Sequence, residues 1–111
     1  MRRVTADYEM EIAMKIEKMR NDNKLTLALE GRLDSTTAPQ LEAEIRGGLD
    51  GVTELVLACG KLEYLSSAGL RVILAAQKIM NKQGKMIVRQ VNETILEVFE
   101  ITGFIDILNI E

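Results

Sequence analysis

Two adjacent hydroxyls, Ser66 and Ser67, stand in the run Tyr64-Leu65-Ser66-Ser67-Ala68-Gly69-Leu70-Arg71, where a strand-like apolar segment gives way to a helix-like one. A serine at such a junction can do two kinds of chemistry. Its oxygen can accept a hydrogen bond from one of the unpaired amides that open a helix. Alternatively it can carry a phosphoryl group, which adds about −1.5 to −2 charges that the positive end of the helix dipole tolerates. Capping leaves the surface as it is. Phosphorylation keeps the fold and changes the sign of its surface.

The surrounding elements must place those hydroxyls. Residues 55–59 (LVLAC) form a short apolar run with the character of an interior strand, which Gly60 interrupts. From Ser67 the period becomes helical: Leu70, Ile73 and Leu74 share a face that Val72, Ala76, Ile79 and Met80 widen, and Gly84 is expected to close the helix in a left-handed conformation. Upstream, Ile12, Met14 and Ile16 alternate with Ala13, Lys15 and Glu17, and Leu25, Leu27 and Leu29 alternate with Thr26, Ala28 and Glu30. The polar turn Asn21-Asp22-Asn23 between them predicts a hairpin. Asp34 or Ser35 is expected to cap a helix running to about Arg46, with Pro39 in its opening turn and Gly47, Gly48 and Gly51 at its exit. Residues 85–89 read as a strand, Asn92 or Thr94 starts a last helix with Ile95, Val98, Phe99 and Thr102 on one side, and Gly103 ends it. The stretch 105–110 suits a short helical turn or an edge strand. Residues 1–10 show no pattern and are expected to fray, leaving 11–111 as the domain.

Strands alternating with helices after a hairpin give an α/β domain with a mixed β-sheet. Loops at the carboxyl ends of its parallel strands open on one rim, where binding sites concentrate. Residues 31–35, 60–67 and 90–92 are those loops, so Asp34, Ser67 and Asn92 are predicted to be neighbours. Asp34 is also a favoured helix cap. Arg71, four positions after Ser67 on a helix, could reach a phosphate there or simply be a solvated residue of a polar face.

Taken together, the Gly31-Arg32-Leu33-Asp34 segment, the run from Tyr64 to Leu70 and the closing V-F-E-I-T-G-F of 98–104 resemble the STAS domains of bacterial anti-sigma factor antagonists. The resemblance extends from about Ile12 to the end of the chain. In that family the strand-to-helix turn usually reads Asp-Ser-Ser/Thr-Gly-Leu, and the first Ser is phosphorylated by a partner kinase. The corresponding residue here is Ser67, followed by Gly69 and Leu70 at the Gly-Leu pair. Ser66 replaces the family's Asp and is the alternative acceptor, while Ala68 replaces the second hydroxyl residue.

What the resemblance implies is a protein that is acted upon. Its partners would be an anti-sigma factor that is also a serine kinase and a serine phosphatase that resets the switch. The expected partner-binding residues are Asp34, Ser66, Ser67, Gly69, Arg71 and Asn92, with Asp34 helping to position the Ser67 hydroxyl and later repelling its phosphate. ATP and magnesium would belong to the kinase, so no cofactor of the chain's own is expected. A constitutive STAS adaptor, such as a subunit of a lipid-transport ATPase or a signalling scaffold, is the alternative.

Composition narrows the classes further. The 111 residues include no His, one Cys and one Pro, with a formal charge of −3 and no basic cluster or aromatic platform, which argues against direct nucleic-acid binding. No apolar stretch has the roughly 18 residues of a membrane span, so no membrane insertion and a cytoplasmic location are expected. With no metal-ligand cluster, no Gly-rich phosphate loop and no nucleophile beside a base, no active site is expected, and a nucleotide-binding enzyme at the Asp34-Ser67-Asn92 rim is a weaker rival. Cys59 should be a packed, inert thiol, and Met14, Met19, Met80 and Met86 should fill the core. Glu42, Glu44, Glu97 and Glu100 read as solvated helix faces.

Overall fold

Alternating Leu residues from 25 to 29 demand one buried and one open face, and the chain supplies both by folding back on itself. The computed structural model describes residues 14–111, so Ile12, Ala13 and the expected frayed segment 1–10 lie outside the described residues. Strand β1 (Met14–Asn21) pairs antiparallel with β2 (Lys24–Leu33) in a register unbroken from Met14↔Gly31 to Asn21↔Lys24. Asp22 takes a positive φ of 57° in the two-residue turn, a conformation that Asp and Asn tolerate better than most side chains. The hairpin is as the alternation predicts.

Helix α1 (Ala38–Gly48) follows, then β3 (Glu54–Leu65), α2 (Ser67–Gln83), β4 (Lys85–Arg89) and α3 (Glu93–Thr102), with a 3-10 turn at Phe104–Asp106. The sheet order is β1-β2-β3-β4, and β3 lies parallel to both β2 and β4. This is the mixed α/β sheet expected. The stretch after α3 does both of the things considered for it: it turns at 104–106, and Ile110 then forms a parallel bridge to Val88.

Leu25, Leu27 and Leu29 of β2, Leu55 and Leu57 of β3, and Met86 and Val88 of β4 form one core cluster with Leu41 and Ile45 of α1, Ile73 and Met80 of α2, and Ile95 and Phe99 of α3. All are essentially shielded from water, so the helices bury their apolar stripes against a single side of the sheet. The alternate residues Val56 and Ile87 are register partners on the opposite side. Cys59 is buried, and burial pushes its thiol pKa up to about 12, leaving it protonated and inert at neutral pH.

Four local expectations need correction. Gly60 does not end the strand: β3 runs through it to Leu65, and a shift of register between the pairs Ala28↔Ala58 and Glu30↔Lys61 absorbs the irregularity. Helix α1 begins at Ala38 with Thr37 at the cap, so neither Asp34 nor Ser35 caps it, and it runs through Gly47 to Gly48. Gly84 is extended (φ 170°), not left-handed; a side chain is excluded there because its Cβ would run into the Thr53 carbonyl. Met19 is 59% exposed and takes no part in the core, whereas Met14, Met80 and Met86 are buried. Position 19 belongs to the opposite alternation set from Met14 and Ile16, so it faces away from the helices.

Candidate functional site

The serine pair divides its labour. Ser66 has extended backbone and is the N-cap of α2: its Oγ accepts from the Gly69 amide at 3.4 Å, and its carbonyl accepts the first helical bond from Leu70 at 2.9 Å. Ser67 is the first helical residue. Its side chain is exposed, and among the described residues its hydroxyl makes no hydrogen bond. The amide of Ser66 donates to Leu33 O at 2.9 Å, which ties the end of β3 to the end of β2 and brings the 33–34 segment beside the start of α2.

Gly69 makes that approach possible. A Cβ on it would lie 2.7 Å from Leu33 Cγ and 2.8 Å from Leu65 Cδ1, inside van der Waals contact. The first turn of α2 thus rests directly on the tips of two strands, and only a residue without a side chain fits there.

Asp34 holds the adjoining turn. Its Oδ1 accepts from the Thr36 hydroxyl at 2.7 Å and from the amides of Thr36 and Thr37 at 3.0 and 3.2 Å. These bonds, the Thr36 hydroxyl first, hold the carboxyl below its ordinary pKa. Thr37 completes the turn by donating its hydroxyl to Arg32 O at 2.7 Å and accepting from the Asp34 amide at 2.9 Å. Asp34 therefore sits next to the Ser66–Ser67 junction in the fold, with its Oδ1 committed to its own turn and no hydrogen bond to Ser67.

Asn92 is placed at a different height. Its Oδ1 accepts from the Ile95 amide at 2.9 Å as the cap of α3, and its Nδ2 donates to Leu62 O at 2.9 Å. Because β4 stops opposite Ala58 while β3 continues to Leu65, Asn92 meets β3 three residues before its end. At about 3.3 Å per residue, that is a step of roughly 10 Å along the strand. The structure joins the Asp34 and Ser67 segments; Asn92 secures β3 at Leu62, a step short of the strand's end.

Arg71 is exposed one turn beyond Ser67 and forms no ion pair among the described residues. With Ser35, Ala38, Pro39, Glu42, Ala68 and Val72 it lines a shallow groove between α1 and α2, open to solvent beside Ser67. A feature the sequence reading missed lies on the other side of Asp34. The Arg32 guanidinium stacks over the Tyr64 ring at 4.1 Å, with its Nε 3.7 Å from Asp34 Oδ2. Both residues are exposed, forming an aromatic-cationic patch of the composition that concentrates binding energy at interfaces. No local sequence pattern signals it, because the pairing of Arg32 with Tyr64 depends on register shifts between β2 and β3.

A four-stranded mixed sheet opened by a hairpin, with a serine pair where β3 meets α2, is the α/β architecture of a STAS domain. The chain belongs to the STAS-domain family: the family model described as "Mlab, STAS domain" matches residues 16–109. It is 41% identical over 96 residues to the putative anti-sigma factor antagonist BtrV of Bordetella bronchiseptica, an alignment covering 85% of this chain and 83% of that protein. Its fold is similar to the crystal structure of an anti-sigma factor antagonist from Mycobacterium paratuberculosis, with a TM-score of 0.79, 22% identity, and coverage of 87% and 84% of the two chains. SpoIIAA in its unphosphorylated form also matches, with a TM-score of 0.75, 22% identity, and coverage of 89% and 88%. The Bacillus cell fate determinant SpoIIAA in the phosphorylated form gives 0.69 at 22% identity, covering 89% and 91%.

Proposed function

We propose that this chain is an anti-sigma factor antagonist that exchanges partners by gaining and losing phosphate on Ser67. Unmodified, it binds an anti-sigma factor that is also a serine kinase, freeing a sigma factor. Phosphorylation ends that complex and a serine phosphatase restores it. The observation that carries the reading is the division between the two serines: Ser66 is occupied as the cap of α2, and Ser67 presents an exposed, unengaged hydroxyl one residue later. The name of the Bordetella relative supports the antagonist role, and the two SpoIIAA forms support a phosphate-dependent state.

The physical basis is a difference in affinity. A phosphate at the first turn of α2 meets the positive end of the helix dipole, so the fold accepts it. Arg71 supplies one cation within a helical turn, while the nearby Asp34 carboxylate opposes the new charge. A partner surface fitted to the bare hydroxyl would have to desolvate a dianion, which costs about 2–5 kcal/mol where a buried charge is left unpaired. Tyr64, Arg32 and the groove beside Ala68 and Val72 provide the contact area around the switch.

Affinity capture from the native cell with wild type, Ser67→Ala and Ser67→Asp, with intact-mass analysis of the captured chains, tests the reading. Wild type and Ser67→Ala should retain an ATP-binding kinase partner, Ser67→Asp should lose it, and only wild type should gain the mass of one phosphate. Equal retention by all three would sink the switch, and phosphate on Ser66 would relocate it. The match to a family model described as "Mlab, STAS domain" keeps a second reading in view, a constitutive adaptor in a transport ATPase or scaffold. Co-purification of a transporter ATPase with all three variants would favour it.

A further inference from the structure

The sheet has two edges, and the chain treats them differently. The outer side of β4 is taken by the chain itself: Val88 donates to Asn109 O and Glu111 donates to Val88 O, both at 2.9 Å, while Arg89 pairs with Glu111 at 3.3 Å. Strand β1 is the other edge, and among the described residues nothing pairs with its outer side. It spans eight residues without Pro, Gly or a bulge, and four of them, Lys15, Glu17, Lys18 and Arg20, are charged, so the pairing this edge accepts is decided by how those charges oppose one another.

We infer that β1 is a self-complementary docking edge, on which a second copy of this chain pairs antiparallel about a two-fold axis through Ile16. Such an axis keeps each face of the sheet on its own side, so residues of the same alternation set must oppose each other. Centring on Ile16 sets Lys15 against the second copy's Glu17, and Glu17 against its Lys15, both on the face away from the helices. Lys15 and Glu17 are exposed, and neither forms an ion pair among the described residues. The neighbouring registers are worse. Centring on Lys15, Glu17 or Lys18 opposes each of those charges with its own copy, and centring on Met19 opposes Lys18 with Arg20.

Backbone geometry favours the same register. The two-residue turn makes Asn21 and Lys24 a hydrogen-bonded pair, so odd-numbered residues of β1 point their amides and carbonyls at β2. Ile16 and its flanking partners Met14 and Lys18 then point theirs outward, at the positions the two-fold pairing needs. On the helix side, half-buried Ile16 would meet its own copy and extend the core across the junction. Since the paired β1 strands run in opposite directions, the two Ser67 rims face opposite ends of an eight-stranded sheet, and both remain open to partners.

Sedimentation velocity of the full chain over a concentration series tests this, using wild type, Lys15→Glu, Glu17→Lys and the double exchange, each checked for native circular dichroism. Wild type should move from monomer toward twice that mass as concentration rises. Each single reversal creates two like-charge pairs and should weaken association about tenfold, with the double exchange restoring it. A wild type that stays monomeric at about 1 mM overturns the proposal. So does a dimer whose dissociation constant in both single reversals equals that of wild type, or a double exchange as weak as the singles.

Discussion

Gly69 of α2 lies against Leu33, the last residue of β2, so closely that a Cβ on the glycine would come within 2.7 Å of Leu33 Cγ. This contact sets the height of Ser67 above the strand tips. Gly69→Ala would gain about 1 kcal/mol of helix propensity. It would also force Leu33 and Leu65 to shift, and overpacking of this kind typically costs about 1–3 kcal/mol. We expect a net loss of up to about 2 kcal/mol, read as a lower urea midpoint at unchanged m-value, together with weaker binding of the kinase partner because the first turn of α2 is displaced.

The division between the serines predicts opposite consequences for similar substitutions. Ser66→Ala removes the bond to the Gly69 amide and should cost about 1 kcal/mol in urea unfolding. Ser67→Ala removes an exposed hydroxyl without a partner among the described residues and should stay within about 0.5 kcal/mol of wild type. In a kinase assay the order reverses: Ser66→Ala still incorporates phosphate, and Ser67→Ala does not. Stability loss confined to Ser67→Ala would reverse the assignment of cap and acceptor.

The particular residues explain what the sequence disclosed. The hairpin, the start of α2 at the serine pair and the left-handed close of α3 at Gly103 (φ 82°) are legible because each is written in local chemistry: alternation, a capping hydroxyl, a glycine. Gly60 misleads because a bulge is a property of two paired strands, and only the slip between Ala28 and Glu30 of β2 lets β3 continue. Asp34 misleads because an Asx turn and a helix cap use the same side-chain bonds, and the choice depends on the Thr36–Thr37 turn that precedes α1. The constraint at Gly84 comes from Thr53, more than thirty residues away, and the Arg32–Tyr64 stack needs a register that no single segment encodes.

The turn held by Asp34 carries a pH dependence whose sign follows from its bonds. The carboxyl pKa is lowered in the folded chain, chiefly by the Thr36 hydroxyl, so its contribution is complete above the ordinary Asp value of about 3.9. It is lost as pH falls from there through the lower folded value. Amide chemical shifts of Thr36 and Thr37 should titrate together in that acid range, and Asp34→Asn should abolish their titration. Titration of these amides at or above the ordinary Asp value would show that the bonds do not favour the charged form. If Asp34 serves the switch through this turn, Asp34→Ala should also slow phosphorylation of Ser67 and weaken partner binding.

Asn92 offers a test of how β3 is anchored at Leu62, because its two side-chain ends serve different elements. Oδ1 caps α3 through the Ile95 amide, and Nδ2 bonds Leu62 O, so one residue fixes the angle at which the helix leaves the sheet. Asn92→Ala loses both bonds and should cost about 1–3 kcal/mol. Asn92→Ser retains the cap alone and should recover part of that loss. Asn92→Asp also keeps the cap, but it sets a carboxylate against the Leu62 carbonyl and should be less stable than Asn at neutral pH, the gap narrowing on acidification as the carboxyl becomes a donor. Equal urea midpoints for the Ala and Ser variants would mean that the Ile95 cap contributes nothing, leaving the Leu62 bond as the whole of the anchor.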